Sequence, residues 1–270
     1  MHKKLTGMMV AVLLTAGLTV GCAPEAGGTI NIAGSTSVQP VSEKLAKAYM
    51  ERHPEVTINV AGGGSSVGVK SVADGTADIG NCSRELKASE KEKWPELIPH
   101  VIARDAIVVV VHPTNKVANL TTEQIRGIYA GEITDWAQVG GDPGAIAVIS
   151  REEGSGTRKV FEKLIMGDKK ITLGAIFHIS AGMVRTAVAE MPLGIGYISY
   201  PYLDPSTKAV AIDGVAPTLE NLKAGNFPLV RPLFKLTKGE PAGLVKDFLD
   251  FCLSPEGQKI VEDEGFIPVR

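Results

Sequence analysis

Short apolar segments alternate with amphipathic segments along the first third of this chain of 270 residues. Residues 30–33 and 56–60 have the β-branched composition of buried strands, whereas residues 38–52 and 67–74 show the spacing of helices that bury one face. A strand, a helix and a second strand in succession place the two strands parallel in one sheet. The sequence therefore predicts an α/β fold with a largely parallel sheet.

A second α/β block follows a change of composition. Residues 107–111 form an unbroken apolar run, which is typical of a strand buried on both faces. Further strands are predicted at 147–149 and 194–199, and the tail from residue 228 adds another strand and two helices. Because no low-complexity linker separates the blocks, we expect two lobes joined by strands that cross between them.

Three loops place small hydroxyl side chains and glycines just before a predicted helix: residues 34–37, 62–66 and 151–157. The start of a helix has unpaired N–H groups and the positive end of the helix dipole, which both favour an anion. Glycine lets the anion approach the backbone, and serine or threonine adds donors. Since ligands of open α/β sheets bind at the carboxyl ends of strands, the three loops indicate an oxyanion site.

The same loops do not match the motifs of nucleotide-binding or hydrolytic sites. A P-loop needs lysine directly after its last glycine, and Val69 stands there. A nucleophile elbow has glycines two residues on either side of its serine, but Glu153 and Thr157 hold those positions around Ser155. The histidines show neither metal-ligand spacing nor a triad pattern. We therefore predict no metal and no cofactor.

Two arginines near the loops are candidates for contact with the anion, and two acids lie near predicted strand ends. Arg84 and Arg151 lie in or beside glycine- and serine-rich segments, where a guanidinium can form a bidentate bond with an oxyanion. A structural salt bridge is the alternative. Asp78 and Asp105 lie near predicted strand ends, where capping of a neighbouring loop is the default role of an aspartate.

The N-terminus has the pattern of a signal peptide over residues 1–21, in which lysines precede an apolar stretch too short for a membrane span. Gly21 before Cys22 predicts lipidation of Cys22, with residues 22–28 as a flexible tether. Thr19 stands where a large aliphatic residue is usual, so ordinary secretion is the alternative.

Charge and cysteine content narrow the class of partner. Cleavage of the signal peptide removes two of the 28 basic residues and none of the 30 acidic ones, which leaves a net charge of about −4. No nucleic-acid partner is predicted, and an anion site must be local. Cys82 and Cys252 either pair in an oxidising compartment or stay separate and buried.

Taken together, the motifs resemble those of the phosphate-binding proteins of bacterial phosphate ABC transporters, the PstS-like periplasmic binding proteins. The matching segments are residues 33–40, 62–68, 77–80, 83–87, 120–121, 131–136, 151 and 154–157. The resemblance implies a type II periplasmic binding protein fold, in which two Rossmann-like lobes joined by a two-crossing hinge close on dehydrated inorganic phosphate. It also implies binding without covalent chemistry, so no enzyme, and delivery of phosphate to a membrane permease.

The resemblance also implies which residues contact the anion. Hydroxyl and amide donors come from the first two loops in one lobe, and an arginine and a helix start come from the other. The predicted phosphate-binding residues are Ser35, Thr36, Ser37, Ser65, Arg84, Asp105, Arg151, Ser155, Gly156 and Thr157. Phosphate leaves water only when fixed donors replace its hydration, and closure of the lobes supplies the last of them.

One position departs from the family pattern. Members often carry an aspartate that accepts the proton of hydrogen phosphate, and here Arg84 stands at that position. Selection of phosphate over sulfate requires an acceptor, because sulfate has no proton to donate. We therefore expect Asp105, oriented by Arg84, to supply the acceptor.

The resemblance further implies the division of the chain and its location. Lobe 1 is predicted to hold residues 29–102 and 202–270, lobe 2 residues 106–199, and the hinge residues 103–108 and 197–201. We expect a monomer, anchored by its N-terminal lipid in the periplasm or on the outer face of the cytoplasmic membrane. The alternatives are a receptor for molybdate, tungstate or sulfate, a secreted phosphoesterase with Ser155 or Ser37 as nucleophile, and a phosphate sensor or adhesin without a transporter.

Overall fold

The computed structural model describes residues 27–269. The predicted signal peptide at 1–21, the lipidation of Cys22 and all but the last two residues of the tether at 22–28 lie outside the described residues. No helix within the described part is long and apolar enough to cross a membrane.

Strands and helices alternate along most of the described chain, as the sequence predicts. The helices are α1 (Gln39–Arg52), α2 (Ser65–Ala73), α3 (Ala88–Lys93), α4 (Thr122–Ala130), α5 (Gly156–Phe161), α6 (Ala181–Glu190), α7 (Leu219–Lys223), α8 (Gly243–Leu253) and α9 (Pro255–Asp263). The strands are β1 (Thr29–Gly34), β2 (Thr57–Ala61), β3 (Ile79–Cys82), β4 (Leu97–Val111), β5 (Asn119–Leu120), β6 (Ala147–Arg151), β7 (Ile176–His178), β8 (Gly194–Ser199), β9 (Lys208–Ala209), β10 (Ala211–Ile212) and β11 (Val230–Lys238).

A single mixed sheet runs through the molecule in the order β2-β1-β3-β11-β4-β8-β6-β7, with β9 also paired to β4. β1, β2 and β3 are parallel, as are β6, β7 and β8, whereas β11 and β4 are antiparallel to their neighbours. The parallel strands carry their connecting helices on the faces of the sheet, so their carboxyl ends point to the same region.

β4 is the element that joins the two halves of the sheet. Residues 97–106 of this strand pair with β11, and residues 107–111 pair with β8. One hydrophobic cluster, around Tyr129 and Phe161, packs against the second part of β4. Two further clusters, around Leu45 and around Val72, pack on the first half of the sheet. We call the half that contains α1 lobe 1 and the half that contains α5 lobe 2.

The predicted boundary after residue 202 does not match this packing. Leu222 and Leu229 are buried in the cluster of lobe 2, and β10 pairs with β5 of the same lobe. The chain therefore returns to lobe 1 at residues 229–230, where β11 begins, and not at 197–201. The elements between are two to five residues long, too short to produce a periodic pattern that assigns them to either lobe.

The two remaining cysteines are separate. Cys82 is buried in the cluster around Val72, and Cys252 in the cluster around Leu45, and neither forms a disulfide. Of the two alternatives that the sequence left open, the structure shows buried free thiols.

Candidate functional site

The three hydroxyl-rich loops follow the carboxyl ends of β1, β2 and β6 and meet where the lobes face each other. Gly34 ends β1 with a φ of 134°, and a side chain there would collide with the carbonyl oxygen of Asn81. The chain turns here toward the start of α1, and the amide of Ser35 donates a hydrogen bond to that same carbonyl oxygen at 2.8 Å. The position needs glycine both for its conformation and for its contact.

Hydroxyl groups from both lobes converge in the space between these loops. The Oγ of Ser37 in lobe 1 lies 2.8 Å from the Oγ1 of Thr157 in lobe 2. Ser35 donates to the Oγ of Ser83 at 2.9 Å, and Ser65 lies 3.3 Å from the same atom. All five side chains are buried. Their convergence produces a cluster of donors without bulky apolar groups, as an oxyanion requires.

Gly156 brings lobe 2 against this cluster. A Cβ atom at this position would lie 2.2 Å from the Oγ of Ser65 and 2.5 Å from that of Ser83. Ser155, the N-cap of α5, is buried and accepts a bond from the amide of Arg158, so the first amides of α5 remain directed at the cluster. Only glycine at position 156 permits this approach of the two lobes.

Thr36 forms two further contacts between the lobes. Its Oγ1 accepts a hydrogen bond from the amide of Ala181, and its carbonyl oxygen accepts one from the hydroxyl of Tyr202 at 2.6 Å. Burial raises the pKa of Tyr202 to about 12, so this hydroxyl stays a donor at neutral pH. Thr36 therefore holds the lobes together at the edge of the cluster.

Arg231 and Asp105 form an ion pair beside the hydroxyl cluster. The Nη2 of Arg231 lies 2.7 Å from the Oδ2 of Asp105, and both side chains are almost fully buried. The Nη1 of Arg231 donates to the Oγ1 of Thr157 at 3.0 Å and to the carbonyl oxygen of Ser83 at 3.2 Å. Arg231 thus links the acid to donors of both lobes.

One oxygen of Asp105 is left without a partner. Oδ2 accepts bonds from Arg231 and from the hydroxyl of Ser199, whereas the buried Oδ1 has no partner among the described residues. Burial raises the pKa of Asp105, and the charge and hydrogen bonds of Arg231, the hydroxyl of Ser199 and the nearby backbone amide of Tyr200 oppose that rise. Asp105 is therefore a buried acid with a free acceptor position next to the cluster.

The prediction that Arg84 orients Asp105 is wrong. Arg84 forms a bidentate pair with Glu90 of α3, at 2.7 and 2.8 Å, and donates to Ser66. The chain turns after Ser83, so the guanidinium points toward the start of α3. Arg231 takes the place beside Asp105 instead.

Arg151 lies at the carboxyl end of β6 and is 2 % exposed. Its Nε and Nη2 donate to Glu152 and to the carbonyl oxygens of residues 178 and 179. The hydroxyl of Tyr197 accepts a bond from the Arg151 amide, and its ring stacks on Phe161 at 4.1 Å. These contacts fix the guanidinium in the site while its Nη1 has no partner among the described residues.

An open groove of about 1120 Å³ leads from solvent to Arg84 and Arg231 between the lobes. Eight basic and four acidic side chains line it, although the chain as a whole carries a net charge of −2. Such a local excess of positive charge raises the concentration of anions at the entrance of a site. No group of three or more metal-ligating side chains occurs anywhere in residues 27–269.

Arg231, Ser83 and Tyr202 are the residues that sequence reasoning did not place in the site. Arg231 and Lys235 are buried charged residues within residues 230–236 of β11, whose other members are apolar. A charge in such a strand is costly unless it is paired, which is the one signal that marks these positions as special before the structure is known.

The protein family and the relatives that this chain matches agree with each other. Residues 22–256 match the family model of a PBP superfamily domain. The phosphate-binding protein PstS of Bacillus subtilis (strain 168) is 35% identical over 249 residues, which are 91% of this chain and 82% of that protein.

Two solved structures are also similar. One is described as that of a phosphate ABC transporter substrate-binding protein with bound phosphate from Clostridium perfringens. Its TM-score against this chain is 0.86 at 40% sequence identity, and the match covers 90% of this chain and 100% of the Clostridium perfringens chain. The other is an ABC-type phosphate transport receptor from Vibrio cholerae. Its TM-score against this chain is 0.74 at 37% sequence identity, and the match covers 88% of this chain and 99% of the Vibrio cholerae chain. The predicted fold class is confirmed.

Proposed function

Because this chain belongs to the PBP superfamily and, within it, to the PstS family of phosphate-binding proteins, we propose that it captures inorganic phosphate between its lobes. It then delivers the anion to the permease of an ABC transporter. The protein binds and releases its ligand without chemical change, so it is a substrate-binding protein and not an enzyme.

The contact between Ser37 and Thr157 across the lobes carries this proposal. Two hydroxyls from different lobes at 2.8 Å mark a point where closure brings donors together. Phosphate is strongly hydrated, and it enters a buried site only if such donors replace the water. The donors proposed to contact it are Ser35, Thr36, Ser37, Ser65, Ser83, Arg151, Ser155, Gly156, Thr157 and Arg231.

Asp105 gives the site its acceptor. Phosphate at neutral pH carries at least one proton, and the free Oδ1 accepts it. Sulfate has no proton, so its oxygen would face the carboxylate without a hydrogen bond. Arg231 holds the carboxylate in place, which is the role predicted for Arg84, and it also balances the charge of the carboxylate.

The location of the protein is part of the same proposal. Cys22 precedes the first residue of β1, Thr29, by seven positions. The protein acts as a monomer, and a lipid on Cys22 would hold it at the outer face of the cytoplasmic membrane, within reach of the permease. Incorporation of a labelled fatty acid that disappears in Cys22→Ala tests the anchor.

Titration calorimetry with phosphate, sulfate, molybdate and tungstate tests the ligand. We expect tight binding of phosphate and binding at least about a hundredfold weaker for the other three. If the protein preferred sulfate, molybdate or tungstate, that anion and not phosphate would be the ligand of the same site between the lobes.

A further inference from the structure

Lys235 is a buried cation that lies directly behind the site. It projects from β11, has no exposed surface, and its Nζ donates to the Oγ of Ser42 at 2.5 Å and to the Oδ1 of Asn81 at 3.2 Å. The same Nζ lies 5.3 Å from the centre of the Phe248 ring. No carboxylate forms an ion pair with it among residues 27–269. A buried ammonium without an acid is costly for a folded protein.

The two partners of Lys235 belong to the elements that form the first loop of the site. Ser42 lies in the first turns of α1, and Asn81 lies in β3, where its carbonyl oxygen accepts the amide of Ser35. The ammonium is therefore separated from the Ser35 amide by one residue. It also lies beside the N-terminal end of α1, whose dipole is positive, so two positive features are adjacent.

We propose that Lys235 is a counter-charge of the bound anion: an ammonium in the interior of lobe 1 that strengthens anion binding without touching the ligand. The inference rests on the proposed function, because it takes the ligand to be an anion bound at the start of α1. An anion there is attracted by the ammonium and by the α1 dipole together, and its charge offsets the cost of keeping the lysine buried.

The surroundings of Lys235 determine how its charge responds to pH. Burial lowers the pKa of Lys235 to about 8. The titratable group nearby is the thiol of Cys252 on α8, and since burial raises its pKa to about 11 it stays neutral at pH 8 and does not offset this effect. On β4, His100 is paired with Lys235 in register, and its ring bonds to Thr237 instead. The partners on α1 and β3, Ser42 and Asn81, carry no charge.

A nearby anion raises the pKa of the ammonium, so binding and protonation are linked. Below the pKa that Lys235 has in the free protein, the lysine is charged in both the free and the phosphate-bound state, and phosphate affinity is at its maximum. As pH rises from about 8 through the higher pKa of the complex, this contribution is lost and binding takes up protons. At a separation on the order of 10 Å and an effective dielectric constant of about 20, the charge changes affinity roughly tenfold.

Titration calorimetry with inorganic phosphate at pH about 8.6, in two buffers of different ionisation enthalpy, counts the protons taken up. Wild-type protein should take up about half a proton per phosphate. Lys235→Met should take up no protons beyond those that phosphate itself takes up on binding. It should also bind phosphate roughly tenfold more weakly than wild type at pH about 7. Lys238→Met is the matched control, since it removes the same charge from the exposed end of the same strand and should behave as wild type.

A merely structural lysine gives a different result. If Lys235 only tied Ser42 to Asn81, then Lys235→Met would leave proton uptake and its pH dependence unchanged, and the proposal would fail. Lys235→Arg covers the case in which the methionine variant does not fold. It stays charged at every pH tested, so it should retain affinity while losing the proton uptake. Absence of phosphate binding to wild-type protein would instead contradict the proposed function, and the same titration shows it.

Discussion

Asp105 and Arg231 form a buried ion pair at the point where β4 and β11 pass from one lobe to the other, with 2.7 Å between Oδ2 and Nη2. The pair lies 126 positions apart in the sequence. Arg231 also donates to Thr157 of lobe 2 and to the carbonyl oxygen of Ser83 in lobe 1. Removing either charge alone would leave the other buried without its partner.

Substitution of Asp105 by asparagine tests the acceptor. Asp105→Asn removes the carboxylate that accepts the phosphate proton and that repels sulfate, so the preference for phosphate over sulfate should fall by at least about a hundredfold. Ser199→Ala is the control, because it removes a bond to Oδ2 and keeps the charge and the free Oδ1. Competition calorimetry measures both. An unchanged preference in Asp105→Asn would exclude Asp105 as the acceptor.

A single methyl group at position 156 should prevent closure. Gly156→Ala places Cβ within 2.5 Å of two hydroxyl oxygens of lobe 1, so phosphate affinity should fall about a hundredfold or more. Gly154→Ala in the same loop has only one neighbour, 3.9 Å away, and should bind as wild type. Thermal unfolding without phosphate should be similar for both variants, since the collision exists only between the lobes. Equal affinities of the two variants would contradict this account of closure.

The pair between Arg84 and Glu90 should act on stability and not on binding. Both side chains are largely buried, so Arg84→Met should lower the free energy of unfolding by about 3 kcal/mol and change phosphate affinity by less than about threefold. Denaturant unfolding and calorimetry separate the two effects. A loss of affinity with unchanged stability would restore Arg84 to the anion site.

The same pair predicts how stability depends on acid pH. Burial would raise the pKa of Glu90, but the bonds from Arg84 and the Lys87 amide prevail and lower it below its usual value. The carboxylate therefore stabilises the fold above the unfolded pKa of about 4.3, and this contribution is lost as pH falls through the lower folded value. Glu90→Gln should flatten the acid side of the stability profile between about pH 4.5 and 3. A profile identical to wild type would show that the pair does not titrate in this range.

The basic groove should accelerate association. Its excess of lysine and arginine attracts phosphate before contact, so the association rate constant should fall as ionic strength rises, while the dissociation rate changes little. Lys163 and Lys170 line the groove, and the double variant Lys163→Gln, Lys170→Gln should bind about two- to fivefold more slowly at low salt. The control is the double variant Lys47→Gln, Lys246→Gln, which removes the same amount of charge outside the groove. Equal rates for the two double variants at low salt would show that the groove does not steer the anion.

The sequence predicts those parts of the site that are local in the chain. Ser37, Ser65 and Thr157 are recognisable because a glycine, a hydroxyl and a helix start stand next to each other. The Asp105–Arg231 pair could not be predicted, because β11 pairs with β4 only in the folded sheet. Arg84 is marked by its local serine-rich segment, whereas nothing local marks Arg231 as the partner of Asp105.

The division into lobes shows the same limit. The apolar run at residues 107–111 of β4 predicts a strand buried on both faces, since its composition needs no partner to be recognised. The short strands β9 and β10 carry no such signal, and only their pairing with β4 and β5 assigns them to lobe 2. Tertiary contacts, and not local preference, decide where such segments lie.

A crystal structure of the protein grown with phosphate tests the central claim most directly. We expect one phosphate enclosed between the lobes, with its oxygens within hydrogen-bond distance of Ser37, Thr157 and Arg231 and one of them facing the Oδ1 of Asp105. Phosphate bound at another place, or a phosphate between the lobes that contacts neither Arg231 nor Asp105, would contradict the account.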